Sequence, residues 1–161
     1  MINIPYSGEE ALKIAIVVEE SGRKFHEQMA SETEDEKLSK LFKDLADEKE
    51  KHKETFENML GETRVERGED LNKKLYGKLE DTYLEALADS RVFTPANEKV
   101  QEAKQASNRN QLISGAISLE KDTMLFFYEI LDKARNSEDR ELIDKVIEEE
   151  KKHIKRFIQL R

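Results

Sequence analysis

The sequence contains no cysteine and no tryptophan, and it has only two prolines and six glycines. Without cysteine there is no disulfide, no thiolate zinc site, no iron–sulfur cluster, no rubredoxin-type iron and no cysteine nucleophile. So few breakers in 161 residues favour long helices. No run approaches the roughly 18 apolar residues of a membrane span. The stretch from Met1 to Glu10 lacks a basic segment followed by an apolar one, so no signal peptide is visible. The expectation is a cytoplasmic protein with no membrane partner. No glycine-rich phosphate loop and no Ser–His pairing stand out. Charge, in contrast, is plentiful: 40% of residues are charged, with 28 basic against 36 acidic and a net charge of −8. An acidic chain does not offer the basic face that a phosphate backbone needs, which argues against nucleic acid as a partner. The length suits a single domain, residues 1–161.

Apolar residues recur at helical spacing in four long segments. One face of the first carries Leu12, Ala15, Ile16, Glu19, Gly22, His26 and Met29. The second carries Leu38, Leu41, Leu45, Lys49, His52, Phe56 and Met59. The third carries Leu112, Ala116, Glu120, Thr123, Phe127 and Ile130, and the fourth Leu142, Val146, Glu150, His153, Phe157 and Leu160. Ser31 and Thr33 are expected N-caps for the second helix, and Asn136 and Ser137 for the fourth. Gly61 is the expected stop of the second. The short connections predict two antiparallel hairpins, residues 10–61 and 111–161. A crossover, 62–110, joins them and is expected to carry minor helices: an amphipathic piece over Leu79 to Ala88 and a start at Thr94-Pro95. The fold class is therefore all-α, a four-helix bundle.

The hairpins repeat each other without a gap at an offset of 101 residues. Glu19 meets Glu120, Phe25 meets Phe126, Glu48 meets Glu149, His52 meets His153 and Phe56 meets Phe157. Glu19 to His52 and Glu120 to His153 are both 33 residues apart (52 − 19 and 153 − 120). This pattern predicts a duplicated hairpin.

Glu19, His52, Glu120, Glu150 and His153 all lie on faces otherwise filled with Leu, Ile, Val and Phe. Several buried carboxylates together repel one another, and a bound cation removes that cost. Glu150 and His153 stand at i, i+3, which puts a carboxylate and an imidazole on one helix face. Taken singly, each could be a salt-bridged core residue. Taken jointly, they point to a metal site drawing ligands from four helices. Mixed carboxylate and imidazole donors suit iron or manganese, and zinc also fits.

With these residues in place, the sequence resembles the ferritin-like carboxylate proteins, and among them the rubrerythrin-type domain. That pattern has one Glu from each of two helices and Glu-x-x-His from each of the other two. The resemblance implies a ferritin-like bundle holding two irons. Glu19 and Glu120 would be terminal carboxylates, Glu150 a bridge, and His52 and His153 terminal ligands on opposite ions. It further implies a di-iron oxidoreductase that reduces peroxide or oxygen as bound iron(II) is oxidised. Electrons would come from an external donor, since no cysteine-rich rubredoxin segment is present. A homodimer is implied as well.

One position departs from the pattern. Three residues before His52, where the second bridging carboxylate is expected, stands Lys49. A lysine there brings a positive charge and no lone pair while protonated. Either Lys49 swings aside, leaving Glu19, His52, Glu120, Glu150 and His153 with help from Glu48, or its ammonium stands in for a cation and pairs with Glu19 or Glu150. Glu48 is rotated about 100° from Lys49 and reaches the site only partly. Thr123 replaces a further carboxylate expected from the resemblance. His26 and Phe127 stand where tyrosine is common, so His26 either supports the site or simply packs. The alternatives to an enzyme are a metal-binding or iron-handling bundle without turnover, and a scaffold in which Lys49 has replaced the metal.

Overall fold

A computed structural model describes residues 8–66, 98–134 and 136–161. The described residues form five helices and no strand: α1 (Gly8–Glu32), α2 (Glu36–Glu66), α3 (Glu98–Lys104), α4 (Arg109–Leu131) and α5 (Ser137–Gln159). α1 packs along α2 and α4 along α5, giving the two expected hairpins. Contacts of α2 with α5 and of α1 with α4 close the bundle, and α3 lies on α4. Of the expected minor helices, α3 is described. Leu79 to Ala88 and Thr94-Pro95 lie outside the described residues. No described helix is long and apolar enough to cross a membrane.

The stripes read from the sequence are the buried faces. All seven positions of α1 and all seven of α2 are buried. On α4 and α5 the seam is rotated slightly at one end. Ile113 and Ile143 are fully buried there, while their neighbours Leu112 and Leu142 are partly buried against the core. Aromatic rings fill the layers on either side of the polar cluster. Phe42 and Phe157 lie 5.5 Å apart, and Phe56 and Phe127 5.3 Å apart.

The turn chemistry differs from expectation at two places. Asp35, not Ser31 or Thr33, caps α2: its Oδ1 accepts from the Leu38 N–H at 2.9 Å. Ser31 lies inside α1, where its hydroxyl donates to the Gln28 carbonyl. A carboxylate beside unsatisfied helix N–H groups gains from the helix dipole as well as from the bond. The other oxygen of Asp35 accepts from Arg109 Nε at 2.8 Å, which ties this turn to the start of α4. Gly61 does not stop α2, which continues to Glu66. Glycine costs roughly 1 kcal/mol inside a helix, and the burial of Met59 and Leu60 beside it outweighs that. The remaining caps are regular. Asn108 opens α4 by accepting from Gln111 N–H, and Asn136 opens α5 by accepting from Asp139 N–H.

Two glycines should respond oppositely to alanine. A Cβ at Gly61 meets nothing within 4 Å, so Gly61→Ala should stabilise by about 0.5–1 kcal/mol. At Gly115 a Cβ would lie 2.9 Å from Ala103 Cβ, so Gly115→Ala should push α3 off α4 and destabilise by about 1–3 kcal/mol. Urea unfolding of the two variants beside the parent checks both signs.

Candidate metal centre

Each long helix contributes to one buried polar layer: α1 gives Glu19 and His26, α2 gives Lys49 and His52, α4 gives Glu120, and α5 gives Glu150 and His153. Helical spacing turns these residues inward, and the hairpin packing brings them together. All seven are buried, and Glu19, His26, Lys49, Glu120, Glu150 and His153 have no exposed surface.

Two groups of three could each hold an ion: Glu19, His52 and Glu150, and Glu120, Glu150 and His153. Within each group one donor atom per residue lies within 4.8 Å of the others. Glu150 belongs to both. The five residues singled out from the sequence are thus brought to one place.

The histidines are held alike. His52 Nε2 lies 2.5 Å from Glu149 Oε2, and His153 Nε2 bonds to Glu48 Oε2. With both carboxylates ionised, each imidazole donates its Nε2 proton outward, leaving Nδ1 facing the centre. His52 Nδ1 lies 3.2 Å from Glu150 and 3.5 Å from Glu19. His153 Nδ1 lies 3.1 Å from Glu150. The two rings are nearly parallel, with centroids 6.0 Å apart. This corrects the reading of Glu48, whose carboxylate holds the outer nitrogen of His153 instead of reaching inward. Glu149 is the residue that sequence reasoning missed. The repeat pairs it with Glu48, and that pairing was the available signal.

Lys49 points straight into the layer. Its ammonium is 2.9 Å from Glu120 Oε2 and 3.1 and 3.0 Å from the two Glu150 oxygens. The pairing with Glu150 is as expected, while the second partner is Glu120. His26 Nε2 lies 2.8 Å from the other oxygen of Glu120. His26 therefore supports the opposite hairpin's carboxylate as well as packing against Phe25 and Phe42. Thr123 satisfies itself by donating to the Leu119 carbonyl at 2.9 Å.

The titration behaviour follows from these neighbours. Burial opposes the Lys49 charge, but Glu120, Glu150 and Glu19 more than offset it and hold the ammonium well above its usual range. Burial likewise opposes charge on Glu150, yet Lys49 and His153 keep its carboxyl well below the ordinary value. Glu19 is raised, chiefly by burial. Burial disfavours a charged His52, but its bond to Glu149 and the nearby carboxylates of Glu150 and Glu19 prevail, and its imidazole is pushed up to about 12. His26 is lowered by burial and stays neutral, so its Nε2–H donates to Glu120.

Three buried carboxylates with two inward imidazole nitrogens form a donor set for a hard or borderline divalent ion. Both oxygens of Glu19 and the Nδ1 of His52 are buried without a hydrogen-bond partner, so these donors fit a metal. The rubrerythrin family model matches residues 10–161. The chain belongs to the rubrerythrin family. A crystal structure from Thermotoga maritima, provisionally described as a ferritin-like diiron-carboxylate protein, superposes with a TM-score of 0.69. It is 24% identical, with 96% of this chain and 94% of that chain covered, and this likeness shows the ferritin-like fold. No curated protein matches the sequence. Lys49 departs from the four-carboxylate, two-histidine pattern of ferritin-like di-metal carboxylate proteins.

Removing one member of a buried ion pair leaves an uncompensated charge. Lys49→Met should therefore destabilise the protein by about 3–5 kcal/mol when chelator keeps metals away. Urea unfolding at neutral pH with chelator measures this, and a loss under about 1 kcal/mol would contradict it.

Proposed function

We propose that this rubrerythrin-family protein is an iron-dependent oxidoreductase that reduces peroxide or oxygen with electrons from an external donor. The observation that carries the reading is the pair of inward-facing imidazoles beside three buried carboxylates. Glu19, His52, Glu120, Glu150 and His153 are the residues that would hold iron. Bound iron(II) would supply electrons to the oxidant, and peroxide takes two electrons and two protons to become two waters.

The protein's own groups do the positioning. Glu149 and Glu48 fix the Nε2 protons of His52 and His153, so that each Nδ1 presents its lone pair inward when the metal displaces its proton. Aromatic layers on either side of the centre exclude bulk water, which strengthens every charge interaction within. The Lys49 ammonium keeps Glu120 and Glu150 ionised and places a fixed positive charge beside them.

The same lysine favours a second reading, an iron-handling bundle that oxidises what it binds but does not turn over. Anaerobic loading with iron(II), followed by excess hydrogen peroxide and a chemical reductant, separates the two. The oxidoreductase should consume many equivalents of peroxide per chain. A single burst matching the bound iron would support the second reading. Oxidation no faster than that of free iron(II) would exclude both.

A further inference from the structure

The centre is symmetric in its outer contacts and asymmetric within. At the offset of 101, Glu48 and Glu149 are equivalent and do equivalent things. Two of the equivalences that fail put a different side chain against the ligands: Lys49 stands opposite Glu150, and His26 stands opposite Phe127. Both failures act on the same half.

In that half every ligand atom of Glu120 and His153 is engaged. Glu120 Oε1 pairs with His26 and Oε2 with Lys49. His153 Nδ1 pairs with Glu150, and its Nε2 with Glu48. In the other half the Glu19 oxygens and His52 Nδ1 remain buried with no hydrogen-bond partner. Such groups are costly to bury unless something binds them. Glu150 lies between the halves, and a carboxylate has enough lone pairs to serve an ammonium and an ion together.

Charge leads to the same conclusion. With His52 and His153 counted as neutral imidazoles, the form in which a metal binds them, Glu19, Glu120 and Glu150 bring three negative charges and Lys49 one positive, all without solvent exposure. The remainder is two negative charges, the complement of one divalent cation. A second divalent cation would leave two uncompensated positive charges in a buried site. The four-carboxylate pattern, in contrast, balances two divalent ions.

We propose that the centre takes one divalent metal per chain, held by Glu19, His52 and Glu150, with the Lys49 ammonium fixed in the place of the second. This rests on the reading of the centre as a redox metal site and narrows it. Peroxide takes two electrons, so a one-iron centre needs the external donor to supply at least one of them within each turnover.

The test is stoichiometry. The full chain is loaded anaerobically with excess iron(II), desalted, and its iron measured by elemental analysis. The parent should hold one ion per chain and Lys49→Glu two. Loading with manganese(II) gives an independent readout by electron paramagnetic resonance. An isolated-ion spectrum is expected for the parent and an exchange-coupled one for Lys49→Glu. Two ions in the parent would overturn the proposal while leaving the oxidoreductase reading in place; no ion would overturn both. Placement is read from the outer carboxylates, whose side chains are about one third exposed (34% for Glu149, 36% for Glu48) and can be replaced without disturbing the core. Glu149→Ala, which frees His52, should weaken iron(II) binding about 10–100-fold. Glu48→Ala, which frees His153, should weaken it less. Equal or reversed losses would place the ion elsewhere and overturn the assignment.

Discussion

A lysine ammonium with no solvent exposure, enclosed by carboxylates from other helices, ties the two hairpins of this bundle together. Lys49 belongs to α2, Glu120 to α4 and Glu150 to α5, so the ion pairs cross both hairpins. A slide of one helical turn, about 5.4 Å, would separate each buried ion from its partner. The cost of an unpaired buried charge is several kcal/mol, comparable to a large share of a domain's net stability. The apolar stripes thus supply most of the driving force for burial, and the polar layer penalises any misalignment.

Around this centre the duplicated hairpin preserves its outer contacts more faithfully than its inner ones. The partly exposed Glu48 and Glu149 each reach across to the other hairpin's histidine. That reciprocity fixes both imidazoles with Nδ1 inward. Inside, the exchange of a carboxylate for Lys49 and the placing of His26 against Glu120 leave one half internally satisfied and the other half short of a cation. At the centre the difference between the halves is one of charge and hydrogen bonding.

A chain only 24% identical to the Thermotoga maritima protein superposes on it along nearly its whole length. The fold depends on stripe positions and short turns, which tolerate many side chains of similar volume. Local constraints do appear where backbones approach closely. Gly115 admits Ala103 of α3 against α4, and Asp35 joins a helix cap to Arg109 of the neighbouring hairpin.

Much of this was legible in the sequence. Period 3.6 places Glu19, His52, Glu120, Glu150 and His153 on apolar faces, and the offset of 101 pairs them, because both depend only on spacing along one chain. The same spacing marks Lys49 as the departure. Local turn choices were harder to read. Asp35, Ser31 and Thr33 are all competent caps, and which one serves depends on where α1 ends and what Arg109 can reach. Gly61 reads as a stop unless the burial of its neighbours is known. The tertiary structure alone decides which carboxylates Lys49 meets, that Glu48 and Glu149 turn to the opposite histidines, and that Glu19 keeps its oxygens unpaired. These outcomes depend on the offset between helices packed side by side. An ångström or two there decides which oxygen a long side chain can reach, and periodicity along a single chain carries no information about it.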